Sequence, residues 1–375
     1  MKKKNKRLLI LYTNYGTGHY KAALSLQKYL ESHYSDIAVQ LMDPLSLGRP
    51  LINKVFASVG KIMATKFRRL RGCIYQRKMY RNYFKKSWFY DFCIKLFFTN
   101  RVKRAILEYN PDIIISTQVG PTGIIAKNKK IFKAKLISVL TDYGIHRMFT
   151  VAHEFVDQFW IPTEDLKREM IKLGIDKRKI MVTGIPVEDK FLVPKEISHK
   201  DYLKKLELPE DKPVFLFVCG GGNGYANALE YFDMLLNMSY DFSYIFVAGK
   251  NKRLYKKAQR LGDISGKFGV TLGYFENMDM LLRICTLVLG KPGGLITSEA
   301  LSMGKPFIAL NPIPGQEILN GKFIADNDFG YLINNKDDFK KFIAEIEKND
   351  TILLKKQENI RKKFKIFTFP DMEDI

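Results

Sequence analysis

The chain has no apolar run approaching the ~18–20 residues that a membrane-spanning helix needs. An integral spanning protein is therefore not expected. Cysteine is sparse, and Cys73, Cys93, Cys219 and Cys285 show no metal-type spacing. Cys219 and Cys285 fall within or beside apolar strands, so buried free thiols are expected. The opening MKKKNKRLLILYTNYG has a basic head but only the short run Leu8–Tyr12 before Thr13 and Asn14. That is short for a signal peptide and right for a first β-strand, which points to a chain that stays in the cytoplasm. Acidic residues are also few: 39 against 62 basic ones, leaving a net charge of +23. Such a surface suits a polyanion, either nucleic acid or an anionic membrane, and charge alone does not choose between them.

What is present is an ordinary globular share of hydrophobic residues, 46%, in 375 residues, enough for two domains. Strand and helix patterns alternate: a strand at 7–13, a helix at 21–32, strands at 39–43 and 112–116, a glycine-bearing turn and helix at 119–127, and a strand at 136–140. A strand at 155–161, a helix at 164–173 stopped by Gly174, and a strand at 180–182 follow. Alternation of this kind predicts parallel sheets covered on both faces. Residues 48–104 form an insertion. The stretch 188–212 is polar and proline-marked. We place a first domain at 1–190, a linker at 191–212, a second domain at 213–355, and a basic tail at 356–375 that packs back on the first. The second domain opens with the apolar strand PVFLFVC (213–219), followed by Gly220, Gly221, Gly222, Asn223 and Gly224.

The most informative stretch is Leu287–Asn320. It reads as strand, the turn Lys291-Pro292-Gly293-Gly294, a helix over 295–303, a strand at 307–310, and a polar loop around Pro314-Gly315. Glycines let a backbone approach a ligand, and the helix behind them offers unpaired N–H groups and a positive dipole end, a site for phosphate or diphosphate. Glu299 is placed to accept hydrogen bonds from a sugar diol. Gln316, Glu317 and Asn320 offer polar groups on the loop. Each piece alone has a plain reading, as a tight connection or a solvated side chain. The order KPGG, T-x-E-A, G-x-P before a strand, and PGQE-x-x-N is what stands out.

That order resembles the nucleotide-sugar half of glycosyltransferases that build peptidoglycan lipid precursors and membrane glycolipids. It is most similar to the diacylglycerol glucosyltransferases and monogalactosyldiacylglycerol synthases. The resemblance implies an α/β GT-B fold, two doubly wound Rossmann-like domains facing across a cleft. It also implies a UDP-hexose donor and a diacylglycerol or monoglycosyldiacylglycerol acceptor. In this frame the loop Asn14–His19 after the first strand brings Gly18 and His19 to the acceptor, with imidazole suited to taking a proton near neutral pH. Asp142 either orients His19 or shares the base role, and His146 lines the acceptor side. Gly220, Gly221, Gly222, Asn223, Lys291, Gly293, Gly294 and Thr297 surround the diphosphate, Tyr274 and Phe275 flank the base, and Glu299 takes the ribose. Gln316, Glu317 and Asn320 contact the sugar or its surroundings. The chain departs from its relatives at Thr286 and Gly290, where Asp and Thr are common. No D-x-D carboxylate pair stands at a strand end, so no cofactor and no essential metal are expected.

Residues 61–104 interleave cations, including Arg68, Arg69, Arg71 and Arg77, with rings such as Trp88 and Phe89, and only Asp91 opposes them. A membrane interface fits this mixture. So do single-stranded nucleic acid and a helical hairpin with a solvated basic face. The resemblance favours the first, giving a peripheral enzyme on the cytoplasmic face of the membrane that binds no nucleic acid. Two rival readings remain: transfer of N-acetylglucosamine to a polyprenyl-linked precursor, and a non-catalytic protein that kept the fold.

Overall fold

The computed structural model describes residues 6–13, 17–47, 99–145, 147–150, 153–193, 198–219, 227–349, 351–373 and 375. The chain forms two compact units, one made of Met1–Asp189, Ile313–Gln316 and Lys365–Ile375, the other of Lys190–Pro312 and Glu317–Phe364.

The first unit runs β1 (Lys6–Leu11), α1 (Thr17–His33), β2 (Ile37–Met42), α2 (Asn100–Tyr109), β3 (Ile113–Ser116), α3 (Val119–Lys127), β4 (Lys135–Val139), β5 (Gln158–Ile161), α4 (Glu164–Lys172) and β6 (Ile180–Val182). Its sheet has the order β2-β1-β3-β4-β5-β6, with every pairing parallel. Parallel strands are covered by their crossover helices on both faces, which is why β3 (IIIS) and β5 (QFWI) are buried along their whole length. The chain steps from β1 outward to β2 and then returns past β1 to β3. The sheet therefore reverses direction between β1 and β3.

The second unit runs α5 (His199–Lys205), β7 (Val214–Val218), α6 (Ala228–Leu236), β8 (Ser243–Val247), α7 (Lys252–Ser265), β9 (Gly269–Leu272), α8 (Met278–Ile284), β10 (Leu287–Gly290), α9 (Gly294–Ser302), β11 (Phe307–Leu310), α10 (Gln316–Asp326), β12 (Gly330–Ile333), α11 (Lys336–Lys348) and α12 (Thr351–Lys363). The order β12-β11-β10-β7-β8-β9 is again all parallel, with its reversal between β7 and β10. Its core is aromatic. Phe217 stacks on Phe246 at 5.1 Å, and Phe232 lies 4.6 Å from Phe246. Burying each such ring stabilises the unit by about 1.5–3 kcal/mol. The expected α/β class with two doubly wound sheets is what the chain adopts.

Several local expectations shift. Helix α1 begins at Thr17 rather than Lys21, so Gly18 and His19 lie in its first turn and not in a loop. The strand expected at 155–161 is shorter, because His153–Phe155 forms a 3-10 turn ahead of β5. The polar stretch taken as linker carries α5, capped by the Ser198 hydroxyl accepting from the Asp201 N–H. The supposed loop holding Gln316, Glu317 and Asn320 is helix α10. The two departures from relatives have structural duties. The Thr286 hydroxyl accepts from the Val214 N–H at 3.1 Å and so fastens the start of β7. A Cβ at Gly290 would lie 2.3 Å from the Val218 carbonyl oxygen of the paired strand, so glycine is what lets β7 and β10 close there.

The chain's last residues join the first sheet's unit. The Thr368 N–H donates to the Thr183 carbonyl at 2.8 Å, and Phe369 stacks on Tyr29 at 4.8 Å and meets Trp160 edge-on.

Cys219 and Cys285 are buried and free, and burial drives both thiols above the usual range, Cys285 to about 11. A raised thiol is protonated at mildly alkaline pH, and the thiolate is the reactive species. Iodoacetamide should therefore leave both cysteines unmodified in the native protein and alkylate both after denaturation, as read by peptide mass spectrometry. Rapid native labelling of Cys285 would contradict this.

Candidate active site

In open parallel sheets, ligands bind beyond the carboxyl ends of the strands, at the point where strand order reverses. In the first unit that point lies between β1 and β3, and a buried threonine follows three of the four inner strands: Thr13 after β1, Thr117 after β3 and Thr141 after β4. His19 meets two of them. Its Nδ1 lies 2.8 Å from the Thr117 carbonyl oxygen and 3.0 Å from Thr141 Oγ1. A carbonyl only accepts, so the hydrogen sits on Nδ1 and the Nε2 lone pair is left exposed to an incoming donor. Nε2 has no hydrogen-bond partner among the described residues. The Thr117 hydroxyl donates to the His19 carbonyl at 3.0 Å, which ties the first turn of α1 to the end of β3. The Thr13 hydroxyl is buried without a partner.

Asp142 lies next to Thr141 and is half-buried. Thr117 and Thr141 hold the imidazole. The sequence hinted at them only as hydroxyl residues closing the buried strands DIIIS and LISVL. Their link to His19 spans 98 and 122 positions.

In the second unit the reversal lies between β7 and β10. Gly293 is the N-cap of α9 and, having no side chain, supplies no capping bond to the helix's first-turn amides. Their partial positive charge faces the space beyond β10, where an anion is stabilised. One turn in, Thr297 is fully buried with its hydroxyl unpartnered, and Glu299 in the second turn is 4% exposed. Behind the turn stands α10. Asn320, fully buried, donates its amide to the Pro292 carbonyl at 2.9 Å, and Glu317 pairs with Lys291 at 2.5 Å. The Asn320 amide thereby holds the glycine turn in place. Gln316 is the first residue of α10. Beyond β9, Tyr274 is 53% exposed with the Lys250 ammonium 5.1 Å from its ring centre, and Phe275 is half-buried beside it.

His146, Gly220, Gly221, Gly222, Asn223, and Arg68, Arg69, Arg71, Arg77, Trp88 and Phe89 lie outside the described residues, as do Asn14–Gly16. Among the described residues no helix is long and apolar enough to cross a membrane.

Chemically, the second unit offers helix amides for a phosphate, a buried carboxylate for a diol, and an exposed ring for a base. The first unit offers an imidazole fixed to receive a proton.

Known proteins point the same way. The family model for monogalactosyldiacylglycerol synthase matches residues 19–187, and that for UDP-N-acetylglucosamine 2-epimerase matches residues 150–317. The processive diacylglycerol beta-glucosyltransferase of Bacillus subtilis (strain 168) is 26% identical over 367 residues, covering 95% of this chain and 91% of that protein. The enzyme of the same name from Staphylococcus haemolyticus is 28% identical over 350 residues, covering 92% and 86%. Among solved structures, Acinetobacter baumannii MurG superposes with a TM-score of 0.65 at 13% identity over 96% of both chains. The S. aureus MnaA–UDP co-structure gives 0.62 at 14% identity over 94% and 91%.

Replacing Asn320 with alanine leaves a buried carbonyl at Pro292 without its donor, at an expected cost of about 1–3 kcal/mol. Urea unfolding followed by circular dichroism should show the destabilisation. An unchanged midpoint would mean that the bond does not hold the turn.

Proposed function

The chain belongs to the family of monogalactosyldiacylglycerol synthases and processive diacylglycerol glucosyltransferases, GT-B enzymes related in fold to MurG, and on that premise we propose that it transfers glucose from UDP-glucose to diacylglycerol or monoglucosyldiacylglycerol with inversion. The observation that carries this reading is the uncapped start of α9 at the sheet's reversal point, with Glu299 buried one turn beyond it. The helix amides take the diphosphate, Glu299 the ribose diol and Tyr274 the base. Glucose is preferred over galactose because the full-length relatives are glucosyltransferases.

The reaction is a single displacement. The acceptor hydroxyl gives its proton to His19 Nε2 as its oxygen bonds to the anomeric carbon. The bond from that carbon to the diphosphate oxygen breaks on the opposite face, and UDP leaves with both electrons. Thr117 and Thr141 keep His19 in the required tautomer. Asp142 sits on the acceptor side, where its carboxylate favours the imidazolium that forms. Positioning and charge stabilisation supply the remainder. The basic-aromatic residues around Arg68 and Trp88 dock the enzyme on anionic lipid, giving binding that weakens with salt.

The experiment offers the protein diacylglycerol in anionic vesicles with UDP-glucose, UDP-galactose or UDP-N-acetylglucosamine, and follows UDP and lipid products. Vesicle-dependent release with UDP-glucose is expected. Turnover of only UDP-N-acetylglucosamine on a polyprenyl acceptor would replace this reading, and silence with every donor would refute it. His19→Ala should lower kcat by about 10²–10⁴-fold with the donor KM little changed, and Asp142→Asn should act in the same direction. Near-normal turnover in both variants would remove these roles.

A further inference from the structure

The donor loops lie where the strands of the second sheet end. At the opposite edge, where β10 and β11 begin, the same unit carries an open cavity of about 410 Å³. Arg283, Lys305, Arg361 and His199 line it, and no carboxylate is among the described lining residues. Met280, Ile284 and Met303 add an apolar wall.

Two of the cations have structural duties. The Lys305 ammonium donates to the carbonyls of Arg283 at 3.1 Å and Cys285 at 2.7 Å, closing the end of α8. One terminal nitrogen of Arg283 donates to the carbonyls of Lys190 at 2.6 Å and Val193 at 2.9 Å. These bonds leave donors over. Arg283 Nε is buried without an acceptor, and the Lys305 ammonium has a third hydrogen. Arg361 has no hydrogen bond or ion pair with any described residue. It nonetheless lies against Gly304, where a Cβ would stand 3.3 Å from its Nε, and that glycine has a φ of +69°. Asp279, one turn before Arg283 on α8, pairs with Lys190 and does not line the cavity. Burial holds the Lys305 ammonium below the usual lysine range, the Cys285 thiol opposes that, and Arg361 and Arg283 push it further down.

We propose that this cavity is an anion site for a phosphate group carried on a short apolar body, distinct from the donor site. Guanidinium forks and an ammonium suit the several oxygens of a phosphate, and the methionine and isoleucine side chains suit a hydrocarbon next to it. A soluble phosphomonoester and the head of a phospholipid share this chemistry.

The test is calorimetric titration of the full-length protein with phenyl phosphate and, separately, with dihexanoylphosphatidylglycerol below its micellar concentration. Arg361→Gln is the informative variant, because the residue bonds to nothing whose loss would disturb the fold. Lys257→Gln, on the exposed face of α7, controls for general charge. Saturable binding should occur in the wild type and in Lys257→Gln, and weaken about tenfold or more in Arg361→Gln. Phenyl phosphate binding with that loss identifies a soluble ligand. Binding of the phospholipid alone with the same loss identifies a lipid. No saturable binding of either probe, or equal binding by Arg361→Gln, overturns the proposal. The donor loops lie at the other end of the sheet, so neither result depends on glycosyl transfer.

Discussion

Two strands can lie parallel only if the chain returns through a crossover, and this constraint governs both sheets. Each strand then delivers its carboxyl end, and the loop that follows, to one common edge. Where strand order reverses, two neighbouring loops diverge and leave a crevice. His19 and its threonines occupy that place in one unit, and the turn before α9 occupies it in the other. The chemistry is positioned by topology before any individual side chain contributes.

What the side chains add is fixation. An imidazole at the start of a helix can adopt either tautomer. The Thr117 carbonyl leaves one, because it can only accept. A glycine turn is intrinsically loose, and here it is held by the buried Asn320 amide and the Lys291–Glu317 ion pair, both anchored in α10. A phosphate site made of backbone amides depends on such fastening, since helix amides bind well only when their direction is set beforehand. The excess of basic residues, a net charge of +23, bears on long-range association and not on the fold.

Much of this was legible in the residues. Short apolar runs such as LVLG, FIAL and DIIIS mark strands because strands buried on both faces need no alternation. KPGG before an uncapped helix carries its own electrostatics. What local pattern did not carry was tertiary. The hydrogen bonds that fix His19 cross 98 and 122 positions. Pro314-Gly315 read as a continuing loop, although proline and glycine also precede helices, and α10 starts at the next residue. Thr286 and Gly290 looked like lapses from a family pattern. They are instead a bond to β7 and a close approach of two backbones. The cations around the 410 Å³ cavity come from separate elements and form no recognisable run.

The central claim is a single in-line displacement, with His19 receiving the acceptor proton while the diphosphate leaves from the opposite face. The most direct measurement is the anomeric configuration of the first lipid product made from the α-linked donor UDP-glucose, read by proton NMR from the coupling at the anomeric carbon. The account predicts a β-glucoside. An α-glucoside would require retention and would contradict it.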